Sequence, residues 1–308
     1  MKWLVKAVLQ KALAWCPGSE RLNYLFQHRI TKHYPRNETD FLHWITIAAQ
    51  HCDIFLKYGC IKNLSDATFY EFGTGWDLLI PLAYCAFGVN HQTLVDIRPH
   101  LRAELINDLL RRFYACKGKL EASLNRALRD LGRRPVKSVS DLQDRFGISY
   151  LAPRDARNTE LESSSVDFIS STATLEHIPP PAIYEILLEC RRILRPGGVM
   201  SCRVDMVDHF AYFDSHISCY NFLKFSHVTW SLLNSSLSYT NRLRYPDYLR
   251  VIKAAGFEVL MEEVEEPTAA DVAILRGLKL ASRFRAGYTL EELGAKRLQA
   301  ACRKDGGQ

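Results

Sequence analysis

The sequence predicts an α/β chain: a Rossmann-like, seven-stranded, mostly parallel sheet with flanking helices. Three observations carry that reading. A short apolar and aromatic run, Ala67 to Tyr70, leads through Glu71 into a turn where Gly73 and Gly75 alternate, and a helix-like apolar run from Leu78 to Ala83 follows. This is the strand, tight glycine turn and helix start of a first nucleotide-binding βα unit. About 20 residues further on, a second apolar run, Thr93 to Val95, ends in Asp96, where a carboxylate can accept both hydroxyls of a ribose. Beyond it, short apolar runs alternate with helix-spaced segments to the end of the chain, the pattern of a parallel sheet.

The glycine turn also speaks about the ligand. A dinucleotide site wants a third glycine so that a pyrophosphate can rest on the helix N-terminus, whereas this chain has Trp76-Asp77-Leu78-Leu79-Ile80 there. An acid at a helix start repels phosphate and suits a ligand with a cationic amine. Glu71 and Asp77, which bracket the turn, could hold the ammonium and sulfonium end of S-adenosylmethionine (SAM). At this point the sequence resembles the class I SAM-dependent methyltransferases, in particular bacterial small-molecule and glycan methyltransferase domains. The resemblance implies SAM as cofactor, S-adenosylhomocysteine as product and methyl transfer as the reaction.

The 308 residues suit one large α/β domain with an appendage, read here as an N-terminal helical extension over 1–64 and a methyltransferase domain over 65–308. The formal net charge of +6 is concentrated between Arg98 and Lys137. That excess fits a solvated helical face, or contact with an anionic glycan, lipid headgroup or nucleic acid. The nine cysteines are scattered and form no Cys-x-x-Cys pair, which argues against a structural zinc or a disulfide scaffold and fits a reducing, cytoplasmic compartment. No run reaches the apolar length that spans a bilayer.

In chain order, residues 2–15 form an amphipathic helix with Trp3, Leu4, Ala7, Val8, Ala12 and Trp15 on one face, ended by Pro17-Gly18. It packs on the main domain or a second subunit, or lies as a peripheral contact in a membrane interface. Residues 20–62 are helix-rich. A helix from Leu78 stops at Gly88. Residues 100–146 read as a basic helical insertion, with one helix carrying Leu101, Leu105, Leu109, Leu110 and Phe113 and a second over Leu120 to Leu131, closed by Gly132 to Pro135. Ile148 to Leu151 is the third strand and Val166 to Ser171 the fourth. A helix spans Ala182 to Leu194, and the fifth strand spans Val199 to Val204. Pro246 to Ala255 is a helix and Phe257 to Glu265 a strand. Ala295 to Arg303 is the last, antiparallel strand, although AKRLQAACRK fits a helix equally well, and the residues through Gln308 form a tail.

Three of these segments carry the family resemblance further. Asp155 followed by Ala156 matches the place where the family binds the adenine amino edge. Leu175-Glu176-His177 is similar to the segment that follows the family's fourth strand, and Ser171 just before it joins the implied cofactor-binding set. Leu194-Arg195-Pro196-Gly197-Gly198 looks like the family turn into the fifth strand.

Residues 205–245 begin beyond the carboxyl end of the fifth strand, where open α/β sheets bind ligands, and read as a cover over the acceptor pocket. Their polar and aromatic mixture suits hydroxyl hydrogen bonds and stacking on a polar ring. Asp208, Tyr212, Tyr220, Asn221, Asn241 and Arg242 are the candidate acceptor-binding residues. The segment is similar to covers in bacterial methyltransferases linked to surface-polysaccharide synthesis.

Methyl transfer from a sulfonium is an in-line displacement, so the protein positions two partners and removes a proton when the acceptor is a hydroxyl. His177 is the first candidate base, with His209 and His216 as rivals. Asp205, Asp208 and His209 could together hold a divalent metal, yet their spacing has no diagnostic force and no metal site is expected. By the family's motifs, Ser171 to Thr174 is no Asn/Asp-Pro-Pro-aromatic segment of amino-directed nucleic-acid enzymes. No Pro-Cys pair occurs for pyrimidine-carbon chemistry, and Glu176 stands alone where protein-arginine enzymes need two glutamates. What remains is a polar small-molecule, glycan or lipid-linked acceptor, with a hydroxyl oxygen favoured and nucleic acid disfavoured. The competing readings are an RNA methyltransferase using the basic 98–137 patch and a non-catalytic SAM-fold scaffold.

Overall fold

In the computed structural model, which describes residues 2–14 and 34–304, seven strands form one sheet. They are β1 (Thr68–Phe72), β2 (His91–Val95), β3 (Ile148–Leu151), β4 (Val166–Thr172), β5 (Leu194–Asp205), β6 (Phe257–Val264) and β7 (Arg297–Lys304), in the order β3-β2-β1-β4-β5-β7-β6. The first five strands pair in parallel, and β7 runs antiparallel between β5 and β6. The antiparallel last strand is therefore the correct alternative for AKRLQAACRK. Strand order reverses between β1 and β4, the switch point beyond whose carboxyl edge open α/β sheets bind ligands.

Alternation along the strands sends neighbours to opposite faces. Phe69, Leu94, Phe168 and Val199 enter one core, under the helices Glu38–Tyr58, Leu79–Ala86, Ala103–Leu124 and Val139–Phe146. Tyr70, Val95, Ile169 and Met200 enter the other, under Pro180–Ile193 and Tyr245–Ala254. The helix Glu38–Tyr58 starts on Asn37, whose side chain accepts the Asp40 N–H. Its Phe55 ring stands 5.3 Å from both Phe69 and Phe168, so part of the segment read as an extension supplies one wall of the central core.

The basic segment differs from the expected helical pair. A single helix, Ala103–Leu124, carries the buried stripe Leu105, Leu109, Phe113 and Leu120 and ends at Asn125 in the left-handed region. Leu128 and Leu131 are buried without helix, and a second helix forms only at Val139–Phe146, capped by Ser138 and Asp141. Apolar spacing continued past Leu124, but the residues beyond it pack individually. On the outer face Arg111 and Arg112 pair with Asp108, Lys117 with Glu121, Arg126 with Asp53 and Arg134 with Asp141. Each such pair stabilises little, and together they engage five of the basic side chains.

The N-terminal helix Lys2–Leu13 packs on the cover through Trp3, Ala7 and Gln10, while Leu4, Val5, Val8 and Leu9 face outward. Its apolar residues thus divide between two faces instead of sharing one; Trp15 and the Pro17-Gly18 end lie outside the described residues, as does the tail after Lys304. The cover has its own small core of Phe210, Tyr220, Phe222, Leu223 and Trp230, shared with Leu275, Phe284 and Leu293. Among the described residues no helix is long and apolar enough to cross a membrane, and the eight described cysteines are all free.

Arg244 ties this layer to the sheet. Its side chain is fully buried and donates to the carbonyls of Met206 at 2.6 Å, Leu293 at 2.9 Å and Ala295; burial pushes its pKa down to about 10. A planar fork matches three carbonyls in a way an ammonium does not. Arg244→Met is expected to cost about 3 kcal/mol, because it leaves buried acceptors unpaired, and Arg244→Lys should recover less than half of it. Urea unfolding of the three proteins checks this; a Lys variant as stable as the parent would contradict it.

Candidate active site

The glycine turn leaves β1 with Gly73 and Gly75 both at φ +72°, a region that glycine enters without strain. The two positions have different reasons for lacking a side chain. A Cβ on Gly73 would stand 2.2 Å from Thr174 Cγ2, so glycine there permits contact between the loops after β1 and β4. A Cβ on Gly75 would meet nothing within 4 Å, which leaves half-buried backbone bordering open space. Asp96 lies beside it, buried, accepting the backbone N–H groups of Arg98, Gly75 and Ile97, with its pKa pushed up to about 6 by burial. Arg154 N–H donates to Asp96 O at 2.8 Å and so joins the loop carrying Asp155 and Ala156 to this corner. The Asp155 carboxylate is held by Arg157 at 2.6 Å, which keeps its pKa below the ordinary value. Ala156 packs against the second core.

Asp77 is not the bare anion at the helix start that the sequence suggested. Arg36 Nε donates to it at 2.6 Å, and its other oxygen caps Leu79 N–H at 3.3 Å. Trp76 is stacked between Tyr34, 6.0 Å away, and His100, 5.6 Å away. Arg36, Tyr34, Trp76 and His100 thus wall the glycine turn. Nothing in local spacing marks them, since the ion pair joins positions 41 residues apart.

Beneath the turn runs a buried polar chain. Gln299 donates to Ser201 Oγ at 2.8 Å, Ser201 meets His51 Nδ1 at 2.8 Å, His51 Nε2 meets Thr172 Oγ1 at 3.2 Å, and Thr172 donates to Glu71 Oε1 at 3.3 Å. With Thr172 donating to Glu71, His51 carries its hydrogen on Nε2 and accepts from Ser201. Burial pushes the His51 pKa down to about 3 and that of Glu71 up to about 8. Glu71 Oε2, Ser171 Oγ and Ser170 Oγ are buried with no hydrogen-bond partner. An orphaned carboxylate oxygen under an open glycine turn fits a ligand that brings an ammonium group.

The Leu175–His177 turn follows β4. His177 Nδ1 donates to Tyr239 O at 2.6 Å, leaving Nε2 as the lone-pair nitrogen. Its ring centroid is 4.9 Å from that of His209. Asp205 Oδ2 lies 3.7 Å from His209 Nε2 and accepts Tyr212 OH at 2.5 Å. The structure therefore brings His177, His209 and Tyr212 together at the carboxyl ends of β4 and β5. The other cover candidates are buried and bonded within the protein. Asp208 accepts from Phe210 N–H and Asn221, so the grouping of Asp205, Asp208 and His209 is not assembled. Tyr220 donates to Gly294 O, Arg242 donates to Phe222 O and Phe225 O, and Asn241 donates to Leu175 O and Ile178 O, clamping the His177 turn. His216 bonds Asp214 at 3.0 Å, beside the N-terminal helix.

The raised Glu71 pKa has a stability consequence. A carboxyl that holds its proton more tightly when folded contributes fully below its unfolded value of 4.5 and loses that contribution as pH rises toward 8. Glu71→Gln cannot lose it. The variant is expected to gain on the parent by up to about 4 kcal/mol between pH 5 and pH 8, measured by denaturant unfolding without ligand. Parallel profiles would contradict the burial account.

Residues 125–202, about a quarter of the chain, match the model of a family described as a methyltransferase domain; this span holds β3, β4 and the His177 turn. No curated protein matches the chain. Solved structures with a similar fold include a SAM-dependent methyltransferase from Mesorhizobium loti (15% identity, TM-score 0.44, 84% of this chain and 100% of that one). Another is geranyl diphosphate C-methyltransferase from Streptomyces coelicolor A3(2), in complex with Mg2+, geranyl diphosphate and S-adenosylhomocysteine (11%, 0.45, 94% and 85%). A third is a SAM-dependent methyltransferase from Methanosarcina mazei (15%, 0.45, 82% and 97%). Likenesses this distant say nothing of the acceptor. The methyltransferase-domain match thus spans β4 and its His177 turn, on a sheet whose order and single antiparallel strand suit that domain.

Proposed function

We propose that the enzyme moves the SAM methyl group to a hydroxyl oxygen of a polar small-molecule, glycan or lipid-linked acceptor. In this reading SAM lies along Gly73 and Gly75, with Asp96 on the ribose hydroxyls, Asp155 and Ala156 at the adenine, Ser171 lining the floor and Glu71 receiving the methionine ammonium. Asp77 contributes through its pair with Arg36, which turns a guanidinium toward the same corner. The observation that carries the acceptor assignment is the imidazole pair His177 and His209 beside Asp205 and Tyr212, where the methyl donor's sulfonium would point. A hydroxyl held there loses its proton to this cluster as the new O–C bond forms. The C–S bond breaks with its electron pair passing to sulfur, and S-adenosylhomocysteine leaves as a neutral thioether.

Within the acceptor classes, one observation favours a lipid-linked or membrane-surface substrate. The helix Lys2–Leu13 exposes Leu4, Val5, Val8 and Leu9 next to the cover, with the exposed Lys2 at its start, while Lys11 at its end is bonded inward to Ser231 O and Asn234 O. That arrangement suits a peripheral contact with an anionic lipid surface. The RNA reading is weakened by the acids already paired with the basic helix. The free, mostly buried thiols support a reducing, cytoplasmic setting.

Two variants separate cofactor from acceptor functions. Gly75→Arg fills the open space above the turn and is expected to abolish calorimetric SAM binding in a protein that still unfolds cooperatively. His177→Ala is expected to keep SAM affinity and lower turnover on a hydroxyl acceptor about 100-fold or more. Unchanged SAM affinity in the first, or full activity in the second, would remove the corresponding role.

A further inference from the structure

The turn after β4 and the first residues of the cover converge on a point that the proposed function leaves chemically incomplete. One ligand-capable atom from each of Glu176, His177 and His209 lies within 4.8 Å of the others. Ligands about 2.1 Å from a tetrahedral ion sit about 3.4 Å apart, so side-chain rotations of about an ångström close the set. Two further features point to a cation. Glu176 is 1% exposed; its Oε1 accepts Asp205 N–H at 3.3 Å, while Oε2 is buried with no hydrogen-bond partner. A desolvated carboxylate oxygen without a donor is costly, and a metal ion would satisfy it. His177 donates Nδ1–H to Tyr239 O at 2.6 Å, the kind of outer bond that fixes the tautomer and aims the Nε2 lone pair of a ligating histidine. Asn241 supports this arrangement by holding the carbonyls of Leu175 and Ile178 on either side of the turn.

We propose that Glu176, His177 and His209 form a binding site for one divalent transition-metal ion of the zinc and cobalt type. Two imidazole nitrogens and one carboxylate oxygen suit such ions better than Mg2+ or Ca2+, which take oxygen ligands. Three protein ligands leave a coordination position open, as in catalytic rather than structural sites. His177 is the exposed member of the set, so the site borders solvent. Asp205 stays at the edge, 3.7 Å from His209 Nε2 and held by Tyr212. Resting on the hydroxyl-acceptor reading, the ion's role is to bind the acceptor oxygen and acidify it. The proton then passes to Asp205, and the oxygen attacks the methyl carbon with loss of the thioether. Under this arrangement His177 serves as a ligand, and the turnover loss in His177→Ala follows from losing the ion.

The test uses the full-length protein stripped by a chelator, with neither SAM nor acceptor present. Titration with Zn2+ by calorimetry is expected to give one saturable site. Titration with Co2+ should give visible d–d absorption that saturates at one equivalent. His177→Ala and His209→Ala should each weaken Zn2+ binding at least tenfold and bleach the Co2+ spectrum while SAM affinity stays unchanged, which certifies the fold. Glu176→Gln, which keeps the buried shape, should weaken it too. Absence of saturable binding in the parent, or binding unaltered in both histidine variants, would overturn the site. Because no acceptor enters the titration, that failure would leave the hydroxyl reading standing. Methylation of a nitrogen or carbon acceptor would remove the hydroxyl reading and leave the titration result intact.

Discussion

The loops after β1 and β4 touch where Gly73 meets Thr174, and the rest of the site depends on that contact. Thr174 Oγ1 donates to Gly73 O and Thr172 O, each at 3.1 Å, and the space a Cβ would need on Gly73 is filled by the threonine methyl. On the proposed reading the glycine turn borders the cofactor and the Leu175–His177 turn borders the acceptor. Locking one on the other fixes the distance between them. For an in-line displacement that distance is most of the catalysis, since an ångström of misplacement can cost about 100-fold in rate.

Two layers hold the contact in place. Below it, the chain from Gln299 through Ser201, His51 and Thr172 to Glu71 crosses from β7 to β1 inside the sheet. Between its two ends every link is bonded, and an unpartnered oxygen is left at each end, Oε1 of Gln299 and Oε2 of Glu71, the latter under the turn. Above it, the cover is a packed layer with its own aromatic core and a buried guanidinium that gathers three carbonyls. Its polar residues mostly hold that layer together, and only a few, Tyr212 and His209 among them, stand at the crevice.

The sheet was legible from sequence because parallel strands buried on both faces appear as short apolar runs, and because Gly73, Gly75 and Asp96 fall at their ends. The helical insertion was misjudged because apolar spacing persists through Leu128 and Leu131, which pack without helix. The site was legible in part. His177 and His209 do meet, although 32 positions separate them in the sequence; His177 stood out by the Leu175-Glu176-His177 segment after the fourth strand and His209 by the polar mixture of the cover. Composition could not tell which polar residues of the cover face inward: Tyr220, Asn221 and Arg242 are the same residue types as an acceptor-binding set, and only tertiary contacts show them bonded internally. Arg36 paired with Asp77, and Glu176 turned toward two histidines, arise from long-range packing and leave no local pattern.

The central claim is that the open glycine turn, with Asp96 at its side and the orphaned Glu71 oxygen beneath, is a SAM site. Isothermal titration of the folded protein with SAM and with S-adenosylhomocysteine tests it most directly. The account requires saturable one-to-one binding of both, in the micromolar range, with binding lost when Asp96 becomes alanine. Absence of binding to either ligand, in a protein that unfolds cooperatively, would contradict it.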